Sequence, residues 1–244
     1  MALNPNRYAT QAGTASQAEI DAGLRSYMLR VYNYMALGVA FTGVLVFALA
    51  QNPEIMVTIA VGPMKWVLFA ALIGMGFFSH RIITMKSTAT AHAFYWAYCA
   101  LWGIMISPMV AYFLQSTEGS MDVARAFFIT SGMFAGVSLF GYTTKKNLSG
   151  LSTFFMMAMI GLVIAMVVNM FLASTGFALL ISFAVVVVFA GITAYETQMI
   201  KNMYHENLGD DQVTKYALFG ALALYGSFVT LFIHILNILN IMRE

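Results

Sequence analysis

From residue 28 onward the chain is a succession of long apolar runs separated by short polar breaks. Seven runs, at 28–50, 64–82, 91–114, 123–142, 151–173, 177–200 and 214–241, approach the roughly 20 residues a helix needs to cross a hydrocarbon core. The runs are continuous. Strands of a membrane barrel would instead be about 10 residues long with alternating polarity. The breaks carry turn residues, as in Gln51-Asn52-Pro53, Gly62-Pro63, Lys146 to Gly150 and Ser174-Thr175-Gly176. The pattern predicts an all-α polytopic membrane protein: a single domain at 28–244, preceded by a flexible polar tail at 1–27. That tail has no apolar core before a cleavage site, so the first span is expected to act as an uncleaved targeting signal.

Composition agrees with the pattern. Hydrophobic residues make up 61% of the chain and charged residues 9%, against roughly 25% charged in a soluble domain. With the N-terminus inside, the cytoplasmic side carries Arg7, Arg25, Arg30, Arg81, Lys86, Lys145, Lys146, Lys201 and Lys215. The other side then holds only Lys65, Arg125 and Arg243, so the positive-inside rule favours a cytoplasmic N-terminus. A re-entrant last segment would return the C-terminus to the inside, and the sequence leaves that open. A net charge of +2 gives no reason to expect nucleic acid. One cysteine, Cys99, excludes an internal disulfide and a cysteine-rich metal site.

Glu196 is the single carboxylate read inside an apolar run, in the sixth span. A charge at bilayer depth costs about 3 kcal/mol on insertion scales, and such residues usually face protein or water. Snorkelling toward the interface beside Lys201 is the structural alternative. On the last span, Ser227, Thr230, His234 and Asn237 recur at helical spacing, continued by Asn240. This polar stripe is expected to face neighbouring helices, as packing glue or as part of a path. His234 lies roughly 10 Å beyond Ser227 at 1.5 Å per residue, so it and Glu196 are expected at different depths. Both are candidate pH sensors.

Other features read as structure. Gly132 and Gly136 suit close helix packing, with Gly38, Gly43, Gly74, Gly76 and Gly161 in the same role. Pro108 is expected to kink the third span. Trp66, Tyr95, Trp96 and Tyr98 are placed in the interfacial aromatic belts. Met156, Met157 and Met159 are read as core filling.

The segments Phe189 to Lys201 and Ala221 to Leu236 resemble the paired signature of the transmembrane Bax inhibitor motif (Bax inhibitor-1) family. There the sixth helix ends in a Tyr-Asp-Thr-Gln-like motif and the seventh carries Leu-Tyr-Leu-Asp-Phe. Val31 to Gly43 and Gly161 to Leu172 match as well, and the resemblance is to bacterial members. It implies two three-helix layers around a central seventh helix, in a bacterial plasma (inner) membrane. It also implies a pH-sensitive calcium leak governed by paired aspartates on helices six and seven. Here Glu196 and Ser227 replace that pair. They hold at most one negative charge, so only weak calcium interaction is expected near Glu196, and no cofactor.

The leading expectation is a passive, pH-gated cation leak with Glu196 in the pathway. Tyr195, Tyr225 and Ser227 are its expected neighbours, Thr230 belongs to the stripe, and His234 is a deeper contact. The alternative is a non-conducting protein that regulates other membrane proteins, such as a quality-control protease. Ser138 with His234 suggests intramembrane proteolysis only faintly, since a working pair must be within hydrogen-bond reach. A retinal Schiff base is disfavoured because no lysine follows Lys215.

Overall fold

The computed structural model describes residues 17–243. Eight helices account for most of them: α1 (Gln17–Ala50), α2 (Pro53–Val61), α3 (Met64–Phe77), α4 (Thr88–Phe113), α5 (Thr117–Thr143), α6 (Ser152–Leu172), α7 (Thr175–Asn202) and α8 (Asp210–Arg243). Among the described residues, six helices are long and apolar enough to cross a membrane: α1, α4, α5, α6, α7 and α8.

The second expected span, 64–82, is not one helix. It is α3, only 14 residues long, followed by a 3₁₀ turn at Ser79–Thr84. At 1.5 Å per residue α3 reaches about 21 Å, short of a hydrocarbon core of roughly 30 Å. Gly62-Pro63 separates it from α2. The chain nevertheless returns across the bundle here, because α1 and α4 run parallel. Tyr95 donates to the Tyr34 carbonyl, and further along both helices Thr42 donates to the Cys99 carbonyl.

Residues 17–27, expected as part of a flexible tail, are helical and belong to α1, because this segment has something to pack against. Tyr27 is buried and stacks on Tyr204, with ring centroids 5.5 Å apart. Residues 1–16 of the expected tail lie outside the described residues.

Local chemistry sets several helix ends. Ser87, Ser116 and Ser174 accept hydrogen bonds from the backbone N–H groups of Ala89, Gly119 and Phe177, as N-cap residues do. α4 continues through Pro108, and the carbonyl that proline leaves without its N–H partner is satisfied locally. Buried Ser107 donates its hydroxyl to the Ile104 carbonyl at 2.8 Å.

α8 is the most buried of the six candidate spans. It packs against α7, α1, α5, α4 and the 3₁₀ turn. It is continuous from Asp210 to Arg243 and does not re-enter. Thr88 donates to Asp211 at its start, and Arg243 at its end reaches Asp122 near the start of α5. α6, by contrast, packs mainly on α7 and leaves most of its apolar surface exposed.

Two packing expectations are corrected. Gly43, Gly74, Gly132, Gly136 and Gly161 have nothing within 4 Å of where a side chain would begin, so none permits close contact inside this chain. Gly76 has only the Tyr98 hydroxyl near it, at ordinary contact distance; Gly38 does permit close contact, beneath Tyr95 and Cys99, and so do Gly23 beneath Tyr204, Gly141 on the Ala194 backbone and Gly191 beneath Phe155. Met156, Met157 and Met159 point outward from α6, because that helix has a partner on only one side. Of the residues expected in the aromatic belts, Trp66 is exposed, but Tyr95 and Tyr98 are buried and so cannot face an interface. α4 starts at Thr88, so both tyrosines lie turns inside it.

Candidate functional site

Four consecutive residues of α7, Tyr195-Glu196-Thr197-Gln198, organise the site by pointing in four directions. Successive residues on a helix turn by about 100°, and each of these meets a different neighbour. Tyr195 packs its ring on Phe155 of α6, 6.1 Å between centroids. Glu196 Oε2 accepts a hydrogen bond of 2.7 Å from Ser227 Oγ on α8. Thr197 Oγ1 lies 2.9 Å from Ser138 Oγ on α5, which in turn lies 2.7 Å from the Tyr32 hydroxyl on α1. Gln198 accepts from the Leu148 N–H and donates to the Lys146 carbonyl, pinning the α5–α6 connection. The motif therefore ties α7 to every part of the bundle at one end.

The structure brings Glu196 and Ser227 together. α7 and α8 run antiparallel, so Ser227 meets Glu196 while His234 and Asn237 meet Ser182 further along α7. His234 Nδ1 is 3.3 Å from Ser182 Oγ, and Asn237 Nδ2 donates to the same oxygen at 2.8 Å. The polar stripe of α8 faces α7. Thr230 belongs to it by position but spends its hydroxyl on the Gly226 carbonyl of its own helix. Ser138 and His234 have separate partners, so the Ser–His arrangement is not formed.

Lys201 does not draw Glu196 outward. Its ammonium donates to the Tyr142 carbonyl at 2.8 Å and lies over the Tyr142 ring, 4.9 Å from the centroid. Two expected neighbours of Glu196 face elsewhere. Tyr195 is on the α6 side, and fully buried Tyr225 donates or accepts across α1, with its hydroxyl 2.7 Å from Thr42 Oγ1. On α8, residues 225 and 227 are about 200° apart, which takes them to opposite flanks.

The neighbour missed in the sequence is Tyr98 of α4. Its hydroxyl lies against Gly226, next to Ser227, and its ring is 6.0 Å from that of Tyr225. Its place on the Tyr95, Tyr98, Trp102 face of α4 was the available signal. A second carboxylate was also missed. Asp122, one residue before the expected fourth span, has a side chain 5% exposed and accepts from Arg243 at 2.9 Å and Arg125 at 3.3 Å. Glu196 is therefore not the lone carboxylate within the bundle. Among the described residues no group of three His, Cys, Asp or Glu side chains is placed to hold a metal ion.

Apolar helices of spanning length, held at one end by a carboxylate–hydroxyl contact between the last two, define a polytopic integral membrane protein. Its family follows from comparison with known proteins. Residues 24–244 match the family model described as inhibitor of apoptosis-promoting Bax1, and the chain belongs to this Bax inhibitor-1 family. It is 34% identical over 220 residues to the inner membrane protein YbhL of Escherichia coli, covering 89% of this chain and 92% of that one. An uncharacterized protein of Caulobacter vibrioides is 37% identical over 235 residues, 92% of each chain. The protein RP147 of Rickettsia prowazekii is 34% identical over 236 residues, 96% of this chain and 98% of its own.

Proposed function

We propose that this protein is a pH-responsive cation leak of a bacterial inner membrane, with Glu196 as the ionisable group of the pathway and its N-terminus cytoplasmic. The observation that carries the reading is the 2.7 Å contact between Glu196 and Ser227. It makes the closure of α7 on α8 depend on one carboxylate with a neutral partner. Protonation or an arriving cation changes what that carboxylate does with the serine hydroxyl, and so changes the helix contact. Calcium is the cation class the family suggests, bound weakly because one charge and two hydroxyl-bearing neighbours make a poor divalent site. Tyr98 is the added wall of the site; His234 with Ser182 is a deeper polar contact. The inner-membrane setting is supported by the printed name of YbhL. The orientation is supported by the gathering of Arg30, Lys146, Lys201 and Lys215 at the Glu196 end.

The test is cation flux through purified protein in liposomes, measured across pH for wild type and Glu196→Gln. The variant is expected to fold and to lose the pH dependence. An unchanged flux and profile removes Glu196 from the mechanism. A non-conducting regulatory role is the second reading, favoured by the exposed apolar face of α6. It predicts no flux at any pH together with a stoichiometric membrane-protein partner on purification.

A further inference from the structure

A cavity of about 400 Å³ opens on the flank of the bundle opposite Glu196, where α1 and α5 each pack on α8 without packing closely on one another. Its size lies within the roughly 300–1,000 Å³ of pockets that take a small ligand. Val46, Ile106, Val110, Val123, Phe228 and Val229 form its apolar interior. Val46, Phe228 and Val229 are buried, whereas Phe47 and Phe128 at the rim are 65% and 74% exposed. α1 and α5 are of spanning length, and the exposed aromatic rim has the apolar character of a lipid-facing surface.

Two hydroxyls line the cavity, and both already have partners. Thr42 Oγ1 is within hydrogen-bond reach of the Cys99 carbonyl and the Tyr225 hydroxyl, and Ser120 donates to the Ser116 carbonyl of its own helix. A buried water needs two to four polar partners, and a headgroup or hydrated ion needs more. Beyond these two oxygens the lining side chains are apolar, too few polar groups for either, and lining an empty space of this size forfeits the dispersion contacts of its atoms. The surrounding medium supplies flexible hydrocarbon at the rim. We propose that this cavity is a binding site for one acyl chain of a membrane lipid, inserted between α1 and α5 against α8.

The test uses the full chain in dioleoylphosphatidylcholine vesicles doped with a phosphatidylcholine bearing a diazirine near the end of one acyl chain. After irradiation, labelled residues are located by peptide mass spectrometry. Label is expected on buried Val46, Phe228 and Val229, which lipid surrounding the bundle does not reach, and on exposed Met170 and Phe171 of α6 as the bulk-lipid reference. Gly43 lines the cavity with open space before it, so Gly43→Phe is expected to fill it and abolish the buried label while the α6 label persists. Val123→Phe fills the same space from α5 and serves if Gly43→Phe does not fold. Label confined to exposed residues, or buried label unchanged by a folded filling variant, overturns the proposal.

Discussion

Glu196, against the middle of α8, and Asp122, at its C-terminal end, are both carboxylates drawn among the helices, and their partners differ. Asp122 is almost enclosed and receives two guanidinium groups, one from its own helix and one from the last residue of α8 described. Glu196 is half-buried and receives one neutral hydroxyl, and among the described residues no ion pair involves it. A carboxylate between two arginines has its charge balanced by the fold itself and serves to fasten α8 to α5. One whose hydrogen-bond partner is a neutral serine has no charge from the fold to balance its own. Burial alone therefore does not separate the two carboxylates; the partner does, and on the function proposed above that difference is what makes Glu196 the responsive group.

The largest expected effect comes from making the Glu196 end charged on both sides. Ser227→Asp would bring two carboxylates together, and their repulsion is on the order of 4 kcal/mol for full charges 4 Å apart at an effective dielectric of 20. The pair then shares a proton or binds a cation. Thermal unfolding in detergent is expected to show calcium stabilising the variant far more than wild type, with a larger calcium response in liposome flux. Equal responses would mean that cations are controlled elsewhere. At the opposite end, Asp122→Ala is expected to cost about 1 kcal/mol. That is well below the figure for breaking a fully buried pair, because Arg125 and Arg243 reach solvent, with side chains 63% and 36% exposed. It should leave the pH profile of flux unchanged; a shifted profile would erase the contrast between the two ends. The smallest effect is expected beside Ser227 on the opposite flank of α8, where Tyr225→Phe removes the neutral contact to Thr42. Polar contacts between membrane helices are worth about 0.6 kcal/mol on average, so the thermal midpoint should fall slightly and the pH profile should not move.

Much of the molecule was legible before its structure. Continuous apolar runs located α1 and α4 to α8, because a helix in lipid must satisfy its own backbone and cover itself with apolar side chains. The recurrence of Ser227, His234 and Asn237 marked the face of α8 that meets α7. The run at 64–82 misled, since apolar composition is the same for one spanning helix and for a 14-residue helix ending in a 3₁₀ turn. Glycine spacing misled too. Gly132 and Gly136 follow the close-packing pattern yet touch nothing, while Gly141, outside that pattern, lies on the Ala194 backbone.

By itself, then, the order of residues determined the class of protein and six of its long helices, because hydropathy and helical period act along the chain, while the Glu196–Ser227 pairing was what the family resemblance implied. Only the tertiary structure decided that Tyr195 packs on Phe155 while Tyr98 reaches Gly226 next to Ser227, that Asp122 is held by Arg243 across 121 positions of sequence, and that α1 and α5 part to leave a cavity. Each of these depends on which helix lies next to which and at what rotation. That is set by the packing of side chains distant in sequence, and no local pattern records it.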